Sequence, residues 1–225
     1  MGQRNVTHDP HNEDAPPRFG PEFATAFRDL VLWRRDVRRF RTDPLPGGTL
    51  ERLVELACHA PSVGNAQPWR FVSVDAPDRR HVVRQAFERA NRDALAGYDG
   101  ERRARYATLK LAGLDDAPVH LAVFSDEATE RGAGLGRRTM PETLSFSVVG
   151  AIHTLWLAAR AEGIGVGWVS ILDPDEVVRA LDVPASWRLV GYLCLGWPIE
   201  EHLDPELERA GWQARAAPDA FLLRR

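Results

Sequence analysis

The segment 141–162 constrains this chain more than any other, because its apolar residues leave almost no polar face. Leu144, Phe146, Val148, Val149, Ile152, Leu155, Trp156 and Leu157 point to most sides of a helix of that length. Such a helix has to lie centrally in a fold or against a second subunit. The rest of the chain must then be arranged around it. A chain of 225 residues with 44% hydrophobic side chains can bury a full core without staples.

Residues 1–20 are rich in Pro, Asp, Asn and His and have too little to bury, so a mobile tail is expected, followed by one domain over 21–225. From Pro21 the spacing of Phe23, Phe27, Leu30 and Val31 predicts a helix whose last turn is crowded by arginines. Thr49 is expected to cap a second helix with an apolar face of Leu50, Leu53, Val54 and Ala57. Residues 69–74 alternate as a strand does, and charged helices are predicted over about 78–96 and 101–114. Residues 118–124, 166–172 and 188–195 read as further strands, with a short helix over 174–181. This irregular alternation points to an α+β fold rather than a doubly wound sheet.

Several function classes are disfavoured. The formal charge of −3 and pI near 6.2 argue against a non-specific nucleic-acid binder. The longest near-apolar run, 189–197, is shorter than the ~20 residues of a membrane helix, so no membrane association is expected. The charged first twenty residues do not form a secretory signal, and a cytoplasmic protein is expected. Cys58 and Cys194 each sit in an apolar segment and read as reduced, buried thiols. The histidines lack metal spacing, and no metal is expected.

One local feature runs against the overall charge. Residues 34–41 read Arg-Arg-Asp-Val-Arg-Arg-Phe-Arg, five arginines against one aspartate. Continued as a helix, Arg34 and Arg38 would share one face and could form a fork for phosphate oxygens. They could equally do no more than offset a helix dipole. In a second segment, Ala60-Pro61-Ser62-Val63-Gly64-Asn65-Ala66-Gln67-Pro68-Trp69, prolines hold an extended loop that can offer Ser62, Asn65 and Gln67 to a planar ligand. Two glycine patterns, at 132–136 and 163–167, lack the strand-then-helix context of a dinucleotide fingerprint. The second reads as a helix C-terminus with close backbone approach.

These two segments, in this order and at this spacing, resemble the FMN-binding nitroreductase superfamily. There an Arg-Arg-x-x-Arg segment holds the FMN phosphate and ribityl chain, and an Ala-Pro-Ser loop approaching Gln-Pro-Trp flanks the flavin. The resemblance runs from about Phe23 to Trp212. Asp36 stands where common nitroreductases carry a small hydroxyl residue, and Gly165-Val166-Gly167-Trp168-Val169-Ser170-Ile171 places a serine on the flavin-facing strand. With Leu155-Trp156-Leu157-Ala158-Ala159-Arg160-Ala161-Glu162-Gly163 and Leu193-Cys194-Leu195-Gly196, these residues are similar to a branch that consumes its flavin. In that branch reduced FMN is a substrate, dioxygen a co-substrate, and the products are 5,6-dimethylbenzimidazole, the lower ligand of cobalamin, and erythrose 4-phosphate.

The resemblance implies a nitroreductase-like fold, a central, mostly antiparallel sheet surrounded by helices. It also implies an entwined homodimer with flavin between subunits, for which helix 141–162 is the expected interface. It implies FMN binding by Arg34, Arg35, Asp36, Val37, Arg38, Pro61, Ser62, Asn65, Lys110, Ser170 and Arg215. Asp36 and Ser170 are the implied catalytic pair. A carboxylate among arginines should be ionised near neutrality and suited to act as a base, and Ser170 can give the ring one hydrogen bond. Read without the resemblance, Asp36 pairs with Arg39 and Ser170 closes a strand bond. Lys110, the sole lysine, is expected on the second charged helix, with 78–114 as a lid over the flavin. A separate flavin reductase would supply reduced FMN. The alternatives are an NAD(P)H-dependent nitro- or quinone reductase that keeps its FMN, and a flavin carrier.

Overall fold

A computed structural model describes residues 16–225 together with the pair Val6–Thr7. Its strands are β1 (Val6–Thr7), β2 (Arg18–Phe19), β3 (Trp69–Ser73), β4 (Val119–Asp126), β5 (Gly165–Val169) and β6 (Trp187–Gly196). Its helices are α1 (Pro21–Trp33), α2 (Thr49–Ala57), α3 (Pro77–Ala96), α4 (Gly100–Ala107), α5 (Thr143–Ala161), α6 (Pro174–Leu181) and α7 (Glu206–Arg209). β1 and β2 pair with each other, and the remainder of the expected tail lies outside the described residues.

The sheet follows from alternation along its strands. β3 to β6 form four strands in the order β3-β4-β6-β5, all antiparallel, as expected of the fold. Leu121 and Val123 of β4, with Leu193 and Leu195 of β6, face α5 and α2; Ala122, Phe124, Tyr192 and Cys194 face α3 and α6. Because successive side chains point to opposite faces, these two inner strands need apolar residues at nearly every position. The sheet is thus the middle of three layers.

The long apolar helix is central. α5 buries Leu144, Ser147, Val148, Ala151, Ile152, Leu155, Trp156 and Ala159 between α2 and the sheet. It is the one helix among the described residues long and apolar enough to cross a membrane, and here it forms a core layer. Phe146, Val149 and His153 remain as an exposed stripe at helical spacing.

Several expected details are corrected. α1 stops at Trp33 with no basic residue in its last turn, because the chain turns extended at Arg34. Thr49 is the first residue of α2 rather than its cap; the preceding Gly48 is left-handed at φ 77°. α4 ends at Ala107 rather than 114, since the next residues pass beneath the sheet and bury Ala112 and Leu114. There Gly113 meets the Phe40 ring so closely that a Cβ would lie 2.3 Å from it. The strand expected over 166–172 ends at Val169. Both cysteines are free, but only Cys194 is buried; Cys58 is exposed. Burial pushes the Cys194 thiol up to about 12.

One buried polar pair makes the fold acid-sensitive. His120 is 2% exposed in β4, with Nδ1 3.0 Å from the Tyr192 hydroxyl. Burial first, and then the nearby Arg80 and Arg84, lower its pKa to about 4 despite a backbone contact to Ala117. The unfolded chain, with a histidine pKa near 6.5, therefore binds the proton more readily. Stability from the neutral ring is complete above about pH 6.5 and is lost as pH falls toward 4, on the order of 3 kcal/mol. His120→Gln should shrink the fall in Tm between pH 7 and pH 4.5; an unchanged fall would place the acid sensitivity elsewhere.

Candidate functional site

The arginine segment is a strap along an open sheet edge. β5 is an edge strand whose free backbone groups are met by residues 36–37, while residues 39–41 pair with residues 197–199 just past β6. The Val37 amide donates to the Val166 carbonyl (3.0 Å), Arg41 to Trp197 (2.8 Å), and Ile199 to Arg39 (3.2 Å). Two glycines admit this approach: a Cβ on Gly167 would lie 2.1 Å from the Val37 carbonyl oxygen, and one on Gly165 2.9 Å from the Val37 side chain. Val37 thus lines the pocket while packing on β5, and buried Phe40 pins the far end. Arg34 and Arg38 therefore do not share a helical face as expected, because the chain from Arg34 onward runs extended rather than helical.

Each strap residue has a distinct environment. Asp36 accepts from the Trp168 backbone N–H at Oδ1 (2.8 Å) and from Arg38 Nε at Oδ2 (2.7 Å). Its ion partner is Arg38, not Arg39, which pairs with Glu200 and Glu206. Arg38 also donates to the Lys110 carbonyl (2.9 Å), so its guanidinium is largely committed. Arg35 donates to the carbonyls of Leu203 and Arg34. Arg34 has no carboxylate partner among the described residues; its guanidinium lies 4.8 Å from the centroid of the Trp156 ring. Trp156 also donates Nε1–H to the Arg35 carbonyl (3.3 Å). Its position among core residues of α5 gave no sequence signal for this role.

Charge crowding marks the pocket. Burial lowers the Arg34 pKa below the ordinary arginine value, Asp36 opposes this, and Arg215 lowers it further. Arg35 is lowered by burial, then by Arg34 and Arg215, with Asp204 opposing. Arg34 and Arg35 line a cleft with Trp33, Asp36, Trp156 and Arg160, and Glu200, Glu201, Asp204 and Glu206 line it too; Arg215 is not part of the lining but is near enough to act on both arginines. An anion with several acceptor oxygens would relieve that repulsion.

The other expected residues divide into two places. Ser170 is exposed just past the end of β5, not on the strand, about 7 Å beyond the amide that Asp36 accepts from. Lys110 follows α4 rather than lying on it, with Nζ 3.9 Å from Asp115. Ser62 accepts from the Gln67 amide (3.1 Å), while Pro61 and Asn65 are exposed and Asn65 is left-handed at φ 54°. Ser147 of α5 holds this loop by accepting from the Val63 amide (3.0 Å). Ser147 and Trp156 are nine positions apart, about 14 Å along α5. Within one chain, Pro61, Ser62 and Asn65 therefore stand at the other end of α5 from the arginines.

The segment 131–138 backs the same loop. Gly132, Ala133, Gly134 and Gly136 all have positive φ, and a Cβ on Gly132 would lie 2.7 Å from the Gly64 carbonyl oxygen. Arg131 donates to Gln67 Oε1 (2.6 Å).

Residues 31–197 match the nitroreductase family. The chain is 61% identical over 202 residues to 5,6-dimethylbenzimidazole synthase of Rhodospirillum rubrum, a match covering 88% of this chain and 96% of the relative. It is 50% identical over 188 residues to 5,6-dimethylbenzimidazole synthase of Rhodobacter capsulatus, covering 84% and 91%. Among solved structures, oxidized iodotyrosine deiodinase bound to FMN and 3-iodo-L-tyrosine superposes with a TM-score of 0.67 at 28% identity, covering 78% and 91%.

Close packing of strap on strand makes Gly167 sensitive. Gly167→Ala should lower Tm by about 2–10 °C through overpacking against Val37. Gly47→Ala, where a Cβ meets nothing within 4 Å, is the control; equal Tm values would show that the strap yields freely.

Proposed function

Because the chain belongs to the nitroreductase family, we propose that its arginine-lined cleft takes reduced FMN as a substrate, in the reaction of a 5,6-dimethylbenzimidazole synthase. Dioxygen is the co-substrate, and the products are 5,6-dimethylbenzimidazole and erythrose 4-phosphate. The observation that carries the reading is Arg34, which among the described residues has no carboxylate in salt-bridge contact, beside Asp36, a carboxylate held by the Trp168 amide of the neighbouring strand. Cations that repel one another fit the FMN phosphate; a strand-bound acid fits proton handling beside it.

Reduced flavin supplies the reactivity toward dioxygen when bound, so the protein has to bind, orient, exclude water and move protons. Arg34, Arg35 and Arg215 bind the phosphate end, with Val37 packing below. Arg38 positions Asp36, and through the Lys110 carbonyl it ties the segment after α4 to the site. Asp36, fixed by its two hydrogen bonds, uses its remaining lone pairs to take a proton from the flavin or ribityl edge. Ser170, beyond it on the same strand line, directs its hydroxyl to the ring. Residues 21–225 act as one domain, and α4 with the end of α3 forms the lid that keeps water out.

The second half of the site comes from a second copy of the chain. Pro61, Ser62 and Asn65 lie too far along α5 to meet the arginines of their own chain, and a homodimer brings the partner's equivalent loop to them. Exposed Phe146 and Val149 on α5 and the stacked Phe19, Phe23 and Phe27 at α1 provide the apolar surface. A separate flavin reductase delivers the substrate in the cytoplasm, where Cys58 and Cys194 stay reduced.

Incubation with chemically reduced FMN in air should yield 5,6-dimethylbenzimidazole by mass spectrometry. Asp36→Asn should bind FMN normally and form product at least about 100-fold more slowly. Unimpaired product formation by Asp36→Asn would remove Asp36 from catalysis, and steady NAD(P)H oxidation with intact flavin would identify a reductase instead. Phe146→Asp should shift the protein toward monomer in analytical ultracentrifugation and weaken FMN binding with it; a dimer of undiminished stability would move the interface off α5.

A further inference from the structure

An aromatic cluster away from Asp36 has no part in the chemistry above. Where α3 passes into α4, the Tyr98 and Tyr106 rings are 5.1 Å apart, and Trp212 meets them edge-on at 5.4 Å and 5.9 Å. The Arg102 guanidinium covers the indole at 4.9 Å, and Arg105 donates to the Gly211 carbonyl. The Tyr106 hydroxyl donates to Asn91 Oδ1 (2.7 Å), which fixes this cage to α3. The C-terminal segment is also held upstream: Leu203 accepts from Arg35, and Glu206 pairs with Arg39 at 2.8 Å. It therefore runs from the arginine strap to the cage, and Trp212 is its last side-chain anchor, with the Gln213 amide still donating to the Leu207 carbonyl (3.4 Å). Beyond it residues 213–217 are exposed and irregular.

Arg215 is three residues past that anchor, a reach of about 10 Å at most. Like charges on Arg34 and Arg35 push it outward, so an anchor other than the phosphate itself has to keep it near before ligand arrives. We infer that Trp212 is a positioning residue: caged by Tyr98, Tyr106 and Arg102, it holds Arg215 at the phosphate end of the cleft and so sets the preference for a phosphorylated flavin over an unphosphorylated one. The inference rests on the phosphate reading of Arg34 and Arg215. It also makes α4 and the phosphate site parts of one connected unit, since α4 cannot swing outward without releasing Trp212.

The test compares oxidised FMN with riboflavin, each titrated by quenching of flavin fluorescence. Arg215→Ala should lower the ratio of the two affinities about 10-fold or more, the scale of a lost charge-assisted hydrogen bond. Trp212→Ala should lower the ratio by a similar factor with riboflavin affinity unchanged. The double variant should be no worse than either single one, and Trp212→Phe should retain most of the preference. A wild-type ratio in Trp212→Ala alongside a reduced one in Arg215→Ala would overturn the positioning role. A wild-type ratio in Arg215→Ala would instead overturn the phosphate reading beneath it. If Trp212→Ala fails to fold, Tyr98→Ala removes one wall of the cage and should reproduce the loss; an unchanged ratio there overturns the inference equally.

Discussion

Backbone pairing between the strap and the outer edge of β5 is the interaction on which the site depends. An edge strand leaves amides and carbonyls without partners, and here Val37 takes one and the Asp36 carboxylate another. The approach is possible only where β5 has no side chains, at Gly165 and Gly167. One consequence is that the Asp36 side chain stands in for a backbone acceptor, which fixes it more firmly than a salt bridge at an open surface would. Another is that the arginines come in adjacent pairs along an extended chain, 34–35 and 38–39, so neighbours in sequence point to different sides and serve different partners.

That division of partners separates structure from binding. Arg38 and Arg39 are taken up by Asp36, the Lys110 carbonyl, Glu200 and Glu206, and they hold the strap to the segments that cross it. Arg34 is left over Trp156 without a salt-bridge partner among the described residues. Trp156 is what keeps it there, by its ring face toward Arg34 and its N–H toward the Arg35 carbonyl. A residue of the central helix therefore reaches the site through packing alone.

α5 also sets the spacing of the site. Ser147 near its start holds the Ser62 loop, and Trp156 near its end holds the strap, so the rigid helix keeps the two proposed flavin-binding groups apart in one chain. Their proposed reunion across two copies gives the exposed face of the same helix a purpose. The cage around Trp212 works in the same manner on the C-terminal side, joining α4 to a segment already gripped by Arg35 and Arg39.

The α+β class, the central apolar helix, the strand runs and the residue types of the site were all legible in the amino-acid sequence, because periodicity and local composition decide them. The arginine run around Asp36 and Ser62 in a proline loop stand out from their neighbours alone, whereas Ser170 and the catalytic role of Asp36 come only from the family resemblance. The partners of the site residues could not be picked out: Asp36 with Trp168, Arg38 with Lys110 and Arg34 with Trp156 join residues 72 to 132 positions apart, and no local pattern encodes a pairing between distant segments. The end of α1 at Trp33 and of α4 at Ala107 were missed for the same reason. In both places helical propensity yields to a tertiary demand, the free edge of β5 for one and the space beside Phe40 for the other, and only the folded chain presents either.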